Sequence, residues 1–214
     1  MEKTRKECDY YATPSPLVSC GVNLAAQRFA RGTKEILLHL EDLTFLDPGC
    51  GPDARFAAYA HELGFGEVLG VDIHPTDIEP SHTFETYRDD FLGQGDDLGA
   101  WFNPGQYDIV CGNPPFSLAE KFIRRSLELV SPMGVVCFLL RLGFWESKDR
   151  IPFLKEFKPA ETHVLSQRPS FYTDSGIGKT DGTAYAFFLW DGAEIRRILK
   201  GMGVQSTIHN LIWR

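Results

Sequence analysis

The stretch Phe45–Gly51, with the sequence FLDPGCG, joins an apolar run to a turn that holds two glycines. Leu43–Asp47 predicts a first β-strand, and Asp53–Leu63 predicts a helix that ends before Gly64. Glycines between a strand and a helix let a ligand approach the backbone and the helix N-terminus closely. The turn lacks the third glycine of the dinucleotide-binding fingerprint. A small adenosyl ligand without a pyrophosphate therefore fits it better than NAD.

A carboxylate follows at the end of the next predicted strand, Glu67–Asp72. Asp72 lies close to the spacing after Asp47 at which an acidic residue binds ribose hydroxyls. The chain has a net charge of -7, but residues 40–108 alone carry 15 acidic and 2 basic residues. This acidic block suits a cationic ligand, although a solvated acidic face would have the same composition.

The remaining pattern alternates short apolar runs with amphipathic stretches, which is typical of βαβ units around a parallel sheet. The segment Ser166–Thr183 is rich in Gly, Ser, Thr and Asp and is predicted as a loop, and residues 191–214 as a helix followed by a poorly specified tail. The further predicted strands are Thr83–Tyr87, Tyr107–Gly112, Gly134–Arg141, Glu161–Leu165 and Ala184–Trp190, and the further predicted helices are Leu118–Val130 and Lys148–Phe157.

The most informative stretch is the tetrapeptide Asn113–Phe116, with the sequence NPPF, directly after the predicted fourth strand. Two consecutive prolines fix φ and remove two backbone donors, so the segment is stiff. The side-chain oxygen of Asn113 and the backbone carbonyl of Pro114 offer two acceptors on this rigid loop. Two such acceptors suit an amino group with two hydrogens to donate, and Phe116 offers a planar face for stacking. An asparagine that only caps the next helix is the structural alternative.

These motifs resemble those of class I S-adenosylmethionine-dependent methyltransferases of the N6-adenine type, in particular the small phage-type enzymes. NPPF resembles their catalytic motif, and the DPGCGPD sequence at 47–53 resembles their cofactor loop. The resemblance implies an α/β fold, namely a doubly wound, Rossmann-like methyltransferase sheet that is mostly parallel with an antiparallel last strand. It also implies S-adenosyl-L-methionine as the cofactor.

The resemblance assigns roles residue by residue. Catalysis falls to Asn113, Pro114, Pro115 and Phe116. Cofactor binding falls to Tyr11, Thr13, Pro14, Asp47, Pro48, Gly49, Cys50, Gly51, Asp72, Ile73, Asp90, Phe91 and Asn113. The substrate side is expected to involve Phe116, Arg141, Arg168 and Lys179, whose cations suit nucleic-acid phosphates. The stretches Arg168–Phe171 and Gly178–Asp181 resemble target-side motifs whose chemical role the sequence leaves open.

The expected domain organisation is a single methyltransferase domain over residues 1–214. It comprises an N-terminal cofactor-lining segment (1–40), a catalytic core (41–190) and a C-terminal helix and tail (191–214). Residues 142–183 leave no room for a separate target-recognition domain, so we expect low or short-motif sequence specificity. The predicted reaction is methylation of the N6 amino group of adenine in DNA. RNA adenine, the side-chain amide of a protein glutamine, and an inactive cofactor-binding subunit remain as alternatives.

The five cysteines form no Cys-x-x-Cys pair and are odd in number, so neither a disulfide framework nor a metal site is predicted. The N-terminus lacks the apolar segment of a signal peptide, and no apolar run is long enough to span a membrane. We therefore expect a cytoplasmic protein, in the host cytoplasm if it is phage-encoded, whose partner is nucleic acid, most simply DNA. The sequence leaves the oligomeric state open.

Overall fold

The structure of the protein is a computed structural model that describes residues 12–33, 39–74, 84–93, 102–173, 176–177, 182–203 and 205–213. Within these ranges the chain forms five α-helices and ten β-strands. The helices are α1 (Ser15–Thr33), α2 (Arg55–Glu62), α3 (Ala119–Leu129), α4 (Ile151–Glu156) and α5 (Ala193–Gly201). The strands are β1 (Thr44–Pro48), β2 (Glu67–Asp72), β3 (Glu85–Arg88), β4 (Tyr107–Gly112), β5 (Val130–Arg141), β6 (Glu161–Leu165), β7 (Tyr172–Thr173), β8 (Gly176–Ile177), β9 (Tyr185–Asp191) and β10 (Thr207–Leu211).

Eight of these strands form one sheet in the order β10-β6-β9-β5-β4-β1-β2-β3. All neighbouring pairs are parallel except the two that involve β9, which runs antiparallel to both β5 and β6. The predicted fold class, a doubly wound, mostly parallel Rossmann-like sheet, is confirmed, and β9 has the antiparallel direction predicted for the last strand, although β10 follows it in the chain. The strand order reverses between β1 and β4, and open α/β sheets bind ligands in the crevice at such a point.

A layer of helices buries each face of the sheet. On one face α1 packs across β4 and β5 and against α2. Its apolar residues recur every three to four positions, at Val18, Val22, Ala25 and Phe29, and all four are buried. A Cβ at Gly21 would lie 2.6 Å from the Phe187 ring, so glycine there lets α1 approach β9 closely. No helix in the described ranges is both long and apolar enough to cross a membrane.

On the opposite face α3 and α5 pack against β5, and α5 also contacts β9. Phe122, Ile123 and Leu129 of α3 are buried there against the side chains that the central strands direct toward this face of the sheet. Each such side chain contributes about 1.5–3 kcal/mol when it leaves water. The strand order places the carboxyl ends of β1, β2 and β4 side by side at one edge of the sheet, which positions the site described next.

Three predicted strands have the predicted bounds, namely Glu67–Asp72, Tyr107–Gly112 and Glu161–Leu165. The predicted C-terminal tail is wrong, because residues 207–211 form β10, which pairs in parallel with β6. The predicted loop Ser166–Thr183 also contains the short β7–β8 hairpin. The predicted helix Lys148–Phe157 divides into a 3-10 turn over Lys148–Arg150 and the short α4, with Pro152 in the first turn.

Candidate active site

The sheet order brings the predicted motifs to one edge. Because β1 lies between β2 and β4, the glycine turn after β1, Asp72 at the end of β2 and Asn113 after β4 are neighbours. The Gly51 N–H donates to Asp72 Oδ2 at 2.9 Å, which joins the first two. A Cβ at Gly112 would lie 2.6 Å from Asp47 Oδ1, so the end of β4 just before Asn113 lies directly against the end of β1.

The turn after β1 has the backbone that its glycines predict. Gly49 and Gly51 have φ of +70° and +71°, in the left-handed region that favours glycine. The N–H groups of Gly49 and Cys50 donate to the Val71 carbonyl at 2.7 and 3.1 Å. A Cβ at Gly49 would lie 3.3 Å from the Phe122 ring and 3.5 Å from Pro115 Cδ. The expected cofactor loop therefore packs directly on the proline loop.

Cys50 and Pro48 support this turn from inside the protein. Pro48 is buried as the last residue of β1, where it pairs with Val71. The Cys50 side chain is buried against β2, since a Cβ at Gly70 would lie 3.1 Å from its Sγ. Burial, and secondly the charge of Asp47, raise the pKa of the Cys50 thiol. Cys50 therefore stays neutral and acts as a small apolar side chain.

Asp47 places a carboxylate beneath the turn. Only 1% of its surface is exposed, and its Oδ2 accepts the Ala57 N–H at 3.2 Å. Its Oδ1 has no hydrogen-bond partner among the described residues. Burial raises the pKa of Asp47 well above its usual range, and the charges of Asp72 and Asp53 add to this. An unpaired buried oxygen is costly, so the site is short of one donor.

Asp72 and Ile73 form the end of β2. Both carboxylate oxygens of Asp72 accept backbone N–H groups, Oδ2 from Gly51 and Oδ1 from His74, each at 2.9 Å. These bonds fix the carboxylate, and an ionised carboxylate retains further lone pairs for hydroxyl donors. Ile73 is 54% exposed beside it. The contacts of Asp72 and Ile73 with the ribose and adenine of an adenosyl group stay a prediction.

The acidic motif after β3 divides between surface and core. Asp90 is exposed, and its Oδ1 accepts the Leu92 N–H at 3.0 Å. Phe91 is buried, with its ring 5.0 Å from that of Phe122 and 5.8 Å from that of Phe102. Because Phe122 also contacts Gly49, Phe91 supports the turn from below. A direct cofactor contact of Asp90 or Phe91 stays a prediction.

The tetrapeptide is fixed by a residue far away in the sequence. The Asn113 side chain donates through Nδ2 to Thr13 Oγ1 at 3.1 Å, and Thr13 is buried. The Thr13 carbonyl in turn accepts Arg55 Nη1 at 3.2 Å. With its amide nitrogen engaged, Asn113 presents Oδ1, which is buried and has no partner in the described part of the chain. This atom is a second buried acceptor that lacks a donor.

The prolines continue the same loop. Pro114 is buried and Pro115 is exposed, with φ of -53° and ψ of 120°. The carbonyl of Pro14, next to Thr13, accepts the N–H groups of Leu17 and Val18 and so begins α1. The N-terminal motif thus reaches the site through the start of α1. Tyr11, its predicted first member, lies outside the described residues.

Aromatic side chains surround the end of the tetrapeptide. The ring of Phe116 lies 5.7 Å from that of Tyr185, which lies 5.2 Å from that of Phe171. The guanidinium carbon of Arg141, at the end of β5, lies 5.1 Å from the centre of the Phe116 ring. Two predicted substrate-side residues, Phe116 and Arg141, are therefore in contact. Arg168 is exposed three residues before Phe171, and Lys179 lies outside the described residues.

Four residues of this site were not assigned a role from the sequence. Phe171 ends one of the stretches that resembled target-side motifs, Tyr185 is the first residue of β9, and the two rings pack in series next to Phe116. Arg55 and Phe122 support the N-terminal motif and the glycine turn. Their apolar or helical surroundings gave no local signal for these contacts, because each contact joins separate elements.

Comparison with known proteins identifies the fold. No family model and no curated protein matches the sequence. Solved structures do match. A protein from Pyrococcus horikoshii assigned as an RNA methyltransferase aligns with a TM-score of 0.61 and 16% identity, over 89% of this chain and 90% of the other. A class I S-adenosylmethionine-dependent methyltransferase from Listeria monocytogenes aligns with a TM-score of 0.63 and 13% identity, over 98% and 68%. The chain has the class I methyltransferase fold.

A third similar structure is the modification subunit of a type I restriction enzyme from Vibrio vulnificus. It aligns with a TM-score of 0.58 and 14% identity, over 88% of this chain and 46% of the subunit. These three proteins share an architecture with the present chain at low sequence identity, and of the three one is assigned to a particular acceptor, RNA. The acceptor has to be argued from the site.

Proposed function

We propose that the protein transfers a methyl group from S-adenosyl-L-methionine to the N6 amino group of adenine in DNA, with low or short-motif sequence specificity. The observation that carries this proposal is Asn113 Oδ1. It is a buried acceptor without a partner among the described residues, on a proline-stiffened loop at the carboxyl end of β4. Buried polar atoms normally find a partner, so an orphaned acceptor here indicates a donor that arrives with a ligand.

The cofactor fits the neighbouring turn on two further observations. Asp47 Oδ1 is a buried carboxyl oxygen without a partner in the described chain, and the ammonium group of a methionine moiety beside it would favour its ionised form. Asp72 is held by two backbone donors and suits ribose hydroxyls. When bound, the cofactor supplies an electrophilic methyl group on its sulfonium sulfur. Two structural neighbours, both methyltransferases by assignment, support this choice.

The proline loop would contribute to the reaction by orienting the target amino group. Asn113 Oδ1 accepts one hydrogen of the target amino group, and the Pro114 carbonyl is expected to accept the other. Both bonds draw the nitrogen out of conjugation with its ring and turn its lone pair toward the methyl donor. Thr13 keeps the asparagine amide from rotating, so the acceptor is in place before the substrate arrives. Pro115 is exposed, and solvent at this mouth accepts the proton that the methylated nitrogen releases.

Phe116 and Arg141 favour a nucleic-acid acceptor over a glutamine amide. A planar ring at the mouth suits stacking with a base, worth about 1–3 kcal/mol. Arg141 adds an exposed cation at the same mouth, which suits a phosphate. A glutamine side chain needs neither group. RNA presents the same base and the same phosphate, and one structural neighbour is assigned to RNA, so RNA adenine is the second candidate.

The experiment offers labelled S-adenosylmethionine to the purified full chain with DNA, RNA and protein acceptors in parallel, followed by digestion and identification of the product. We expect N6-methyladenine in DNA. Label only in RNA would select the second candidate, and label only in protein would overturn the nucleic-acid assignment. Cofactor binding without any labelled acceptor would favour the inactive cofactor-binding subunit.

Asn113→Ala tests the role of the loop, with Asn103→Ala as the matched control. Asn103 is exposed and lies ahead of β4, outside the proline loop. We expect Asn113→Ala to lower the transfer rate by roughly a hundredfold or more, because it removes a preorganised acceptor. Calorimetry should show unchanged cofactor affinity in both variants. Substantial turnover by Asn113→Ala would contradict the proposed role.

A further inference from the structure

A histidine pair with a carboxylate lies at the opposite end of the molecule from the candidate active site. His163 of β6 and His209 of β10 are directly opposite in the parallel register, with ring centroids 4.7 Å apart and planes inclined by 20°. Glu161 begins β6, and its Oε2 lies 2.8 Å from His163 Nε2. One ligand atom from each of the three residues lies within 4.8 Å of the others.

We propose that Glu161, His163 and His209 bind a divalent transition-metal ion, with Zn²⁺ as the first candidate. Two imidazoles and one carboxylate are a ligand set that Zn²⁺ accepts, and imidazole selects transition metals over Mg²⁺ or Ca²⁺. The site is formed by neighbouring strands rather than by a loop. It is independent of the proposed methyl transfer, because its residues lie at the start of β6 and on β10.

The spacing of the donors fits one ion. Two ligands at roughly 2 Å from a shared metal are about 3 Å apart when they are adjacent in the coordination sphere. Glu161 Oε2 and His163 Nε2 have nearly that separation, at 2.8 Å, where they share a hydrogen bond whose proton the metal ion would displace. His209 is exposed, so its ring can rotate its edge toward His163. Its Nε2 lies 3.0 Å from Thr207 Oγ1. A hydrogen bond at one ring nitrogen orients an imidazole whose other ring nitrogen binds a metal ion.

The charges around Glu161 include one cation that a metal ion can replace. Arg28 donates to both oxygens of Asp191, at 2.8 and 2.6 Å, so it has its own counter-ion besides its 2.9 Å contact with Glu161. Arg31 contacts Glu161 at 3.0 Å, and its side chain is 55% exposed. Arg31 can therefore move into solvent when a metal ion takes over the neutralisation of Glu161. We expect this competition to weaken metal binding in the natural sequence.

Metal binding would have a structural consequence for the C-terminal strand. Four of the five residues of β10 are exposed, so pairing with β6 provides most of its attachment. An ion held by one residue of β10 and two of β6 would join these strands. A ligand that binds only the folded arrangement stabilises it.

The test is calorimetric titration of the metal-stripped full chain with ZnCl₂, with Co²⁺ absorption as a second readout of the ligand set. We expect one saturable site. His209→Ala should weaken it by about tenfold or more, since an exposed ligand is lost without damage to the core. Arg31→Gln should tighten it. His39→Ala is the control, because His39 is exposed and its side chain caps nothing.

Each outcome bears on the proposal. Tight binding that His209→Ala weakens and Arg31→Gln strengthens supports it, together with a Zn²⁺-induced rise in melting temperature that His209→Ala abolishes. No saturable binding in the wild-type chain overturns it, as does equal binding by wild type and His209→Ala, or equal weakening by His39→Ala. Methyl transfer plays no part in these readouts, so failure here is distinct from failure of the proposed function.

Discussion

Two buried oxygens of the candidate active site lack a hydrogen-bond partner among the described residues, namely Asp47 Oδ1 at the end of β1 and Asn113 Oδ1 directly after the adjacent β4. Thr162 Oγ1 on β6 is unpaired as well, so the position of the first two at neighbouring strand ends is what sets them apart. Each unpaired acceptor costs about 1–3 kcal/mol in the free protein. The cost falls when a ligand brings donors, so it contributes to binding a cationic cofactor at one oxygen and an amino group at the other. Buried polar atoms normally have hydrogen-bond partners, and these two exceptions lie where a ligand is expected to bind.

Gly49 offers a prediction at the scale of one residue. Gly49→Ala places a side chain at φ +70° and 3.3 Å from the Phe122 ring, whereas Gly203→Ala has the same φ and nothing within 4 Å. Both should lose about 1–2 kcal/mol of unfolding free energy from the left-handed backbone. Only Gly49→Ala should also lower cofactor affinity, because it pushes the turn away from Pro115. Urea unfolding and calorimetry measure the two effects.

The control separates backbone strain from a specific effect on the site. If Gly203→Ala lowers cofactor affinity as much as Gly49→Ala does, then the loss follows from general destabilisation. In that case the assignment of residues 47–51 to the cofactor would lose its support. Unchanged affinity in both variants would contradict the assignment as well.

The sequence pattern located individual candidate site residues, but it did not predict which residues they contact. The turn at Gly49 and the loop at Asn113 follow strands directly, so a local pattern was enough to find them. The contact of Asn113 with Thr13 spans 100 residues, and no local pattern encodes it. The contact between the Phe116 and Tyr185 rings likewise requires β9 to be inserted between β5 and β6.

At the scale of elements, the strands that were predicted with correct bounds are those with strongly patterned burial. β4 and β6 bury most of their side chains, and the apolar run of β4 stands out, whereas β6 buries the polar residues Glu161, Thr162 and His163. β10 was missed because its residues are almost all exposed, so its sequence has no apolar alternation that predicts a strand. Backbone pairing with β6 holds it in the sheet. The helix α1 lies within the segment assigned only to cofactor contacts. Its buried positions recur at helical spacing, so that signal was present.

Arg141 and Phe116 couple the end of β5 to the proline loop, which leads to a prediction about substrate binding. Arg141→Ala should raise the KM for an oligonucleotide about tenfold and leave kcat nearly unchanged, because a phosphate contact positions the substrate without entering the chemistry. The dependence of log KM on log salt should fall by about one. Arg141→Lys should keep the salt dependence but lose the planar contact with Phe116.

Arg125→Ala is the matched control for Arg141, since Arg125 carries the same charge on α3 and pairs with Glu128 at 3.1 Å. It should leave both KM and the salt dependence unchanged. A fall in kcat without a change in KM for Arg141→Ala would place Arg141 in the chemical step instead. An unchanged KM at low and high salt would remove it from the substrate-side surface.

At the scale of the whole molecule, one charged network attaches α1 to the sheet. Arg28 of α1 contacts Glu161 of β6 and Asp191 of β9, and both carboxylates are buried. Thr13, which accepts a hydrogen bond from Asn113, lies just before the N-terminus of α1. The network therefore fixes the opposite end of the helix that positions Thr13 and, through it, the catalytic loop. Loss of the network is therefore expected to reduce stability first, and activity only through the position of α1.

The same network predicts how stability depends on pH. Burial alone would raise the pKa of Glu161, but the hydrogen bond with His163 and the charges of Arg28 and Arg31 lower it from 4.5 to about 2. A carboxylate with a depressed pKa stabilises the folded state above the unfolded value, and this contribution is lost as the pH falls through the folded value. Glu161 should thus contribute roughly 3 kcal/mol at neutral pH that disappears between about pH 4.5 and pH 2.

Urea unfolding of the wild type and Glu161→Gln at several pH values between 7 and 3 measures this contribution. Glu161→Gln cannot titrate, so the difference in unfolding free energy between the two proteins should be largest at neutral pH and shrink as the pH falls. Glu128→Gln is the control, because Glu128 is an exposed carboxylate with one exposed ion pair, and its difference from the wild type should stay small throughout. The metal-stripped protein is used, so that ion binding at Glu161 cannot contribute. A difference for Glu161→Gln that stays constant from pH 7 to pH 3 would mean that the network acts by packing and not by charge.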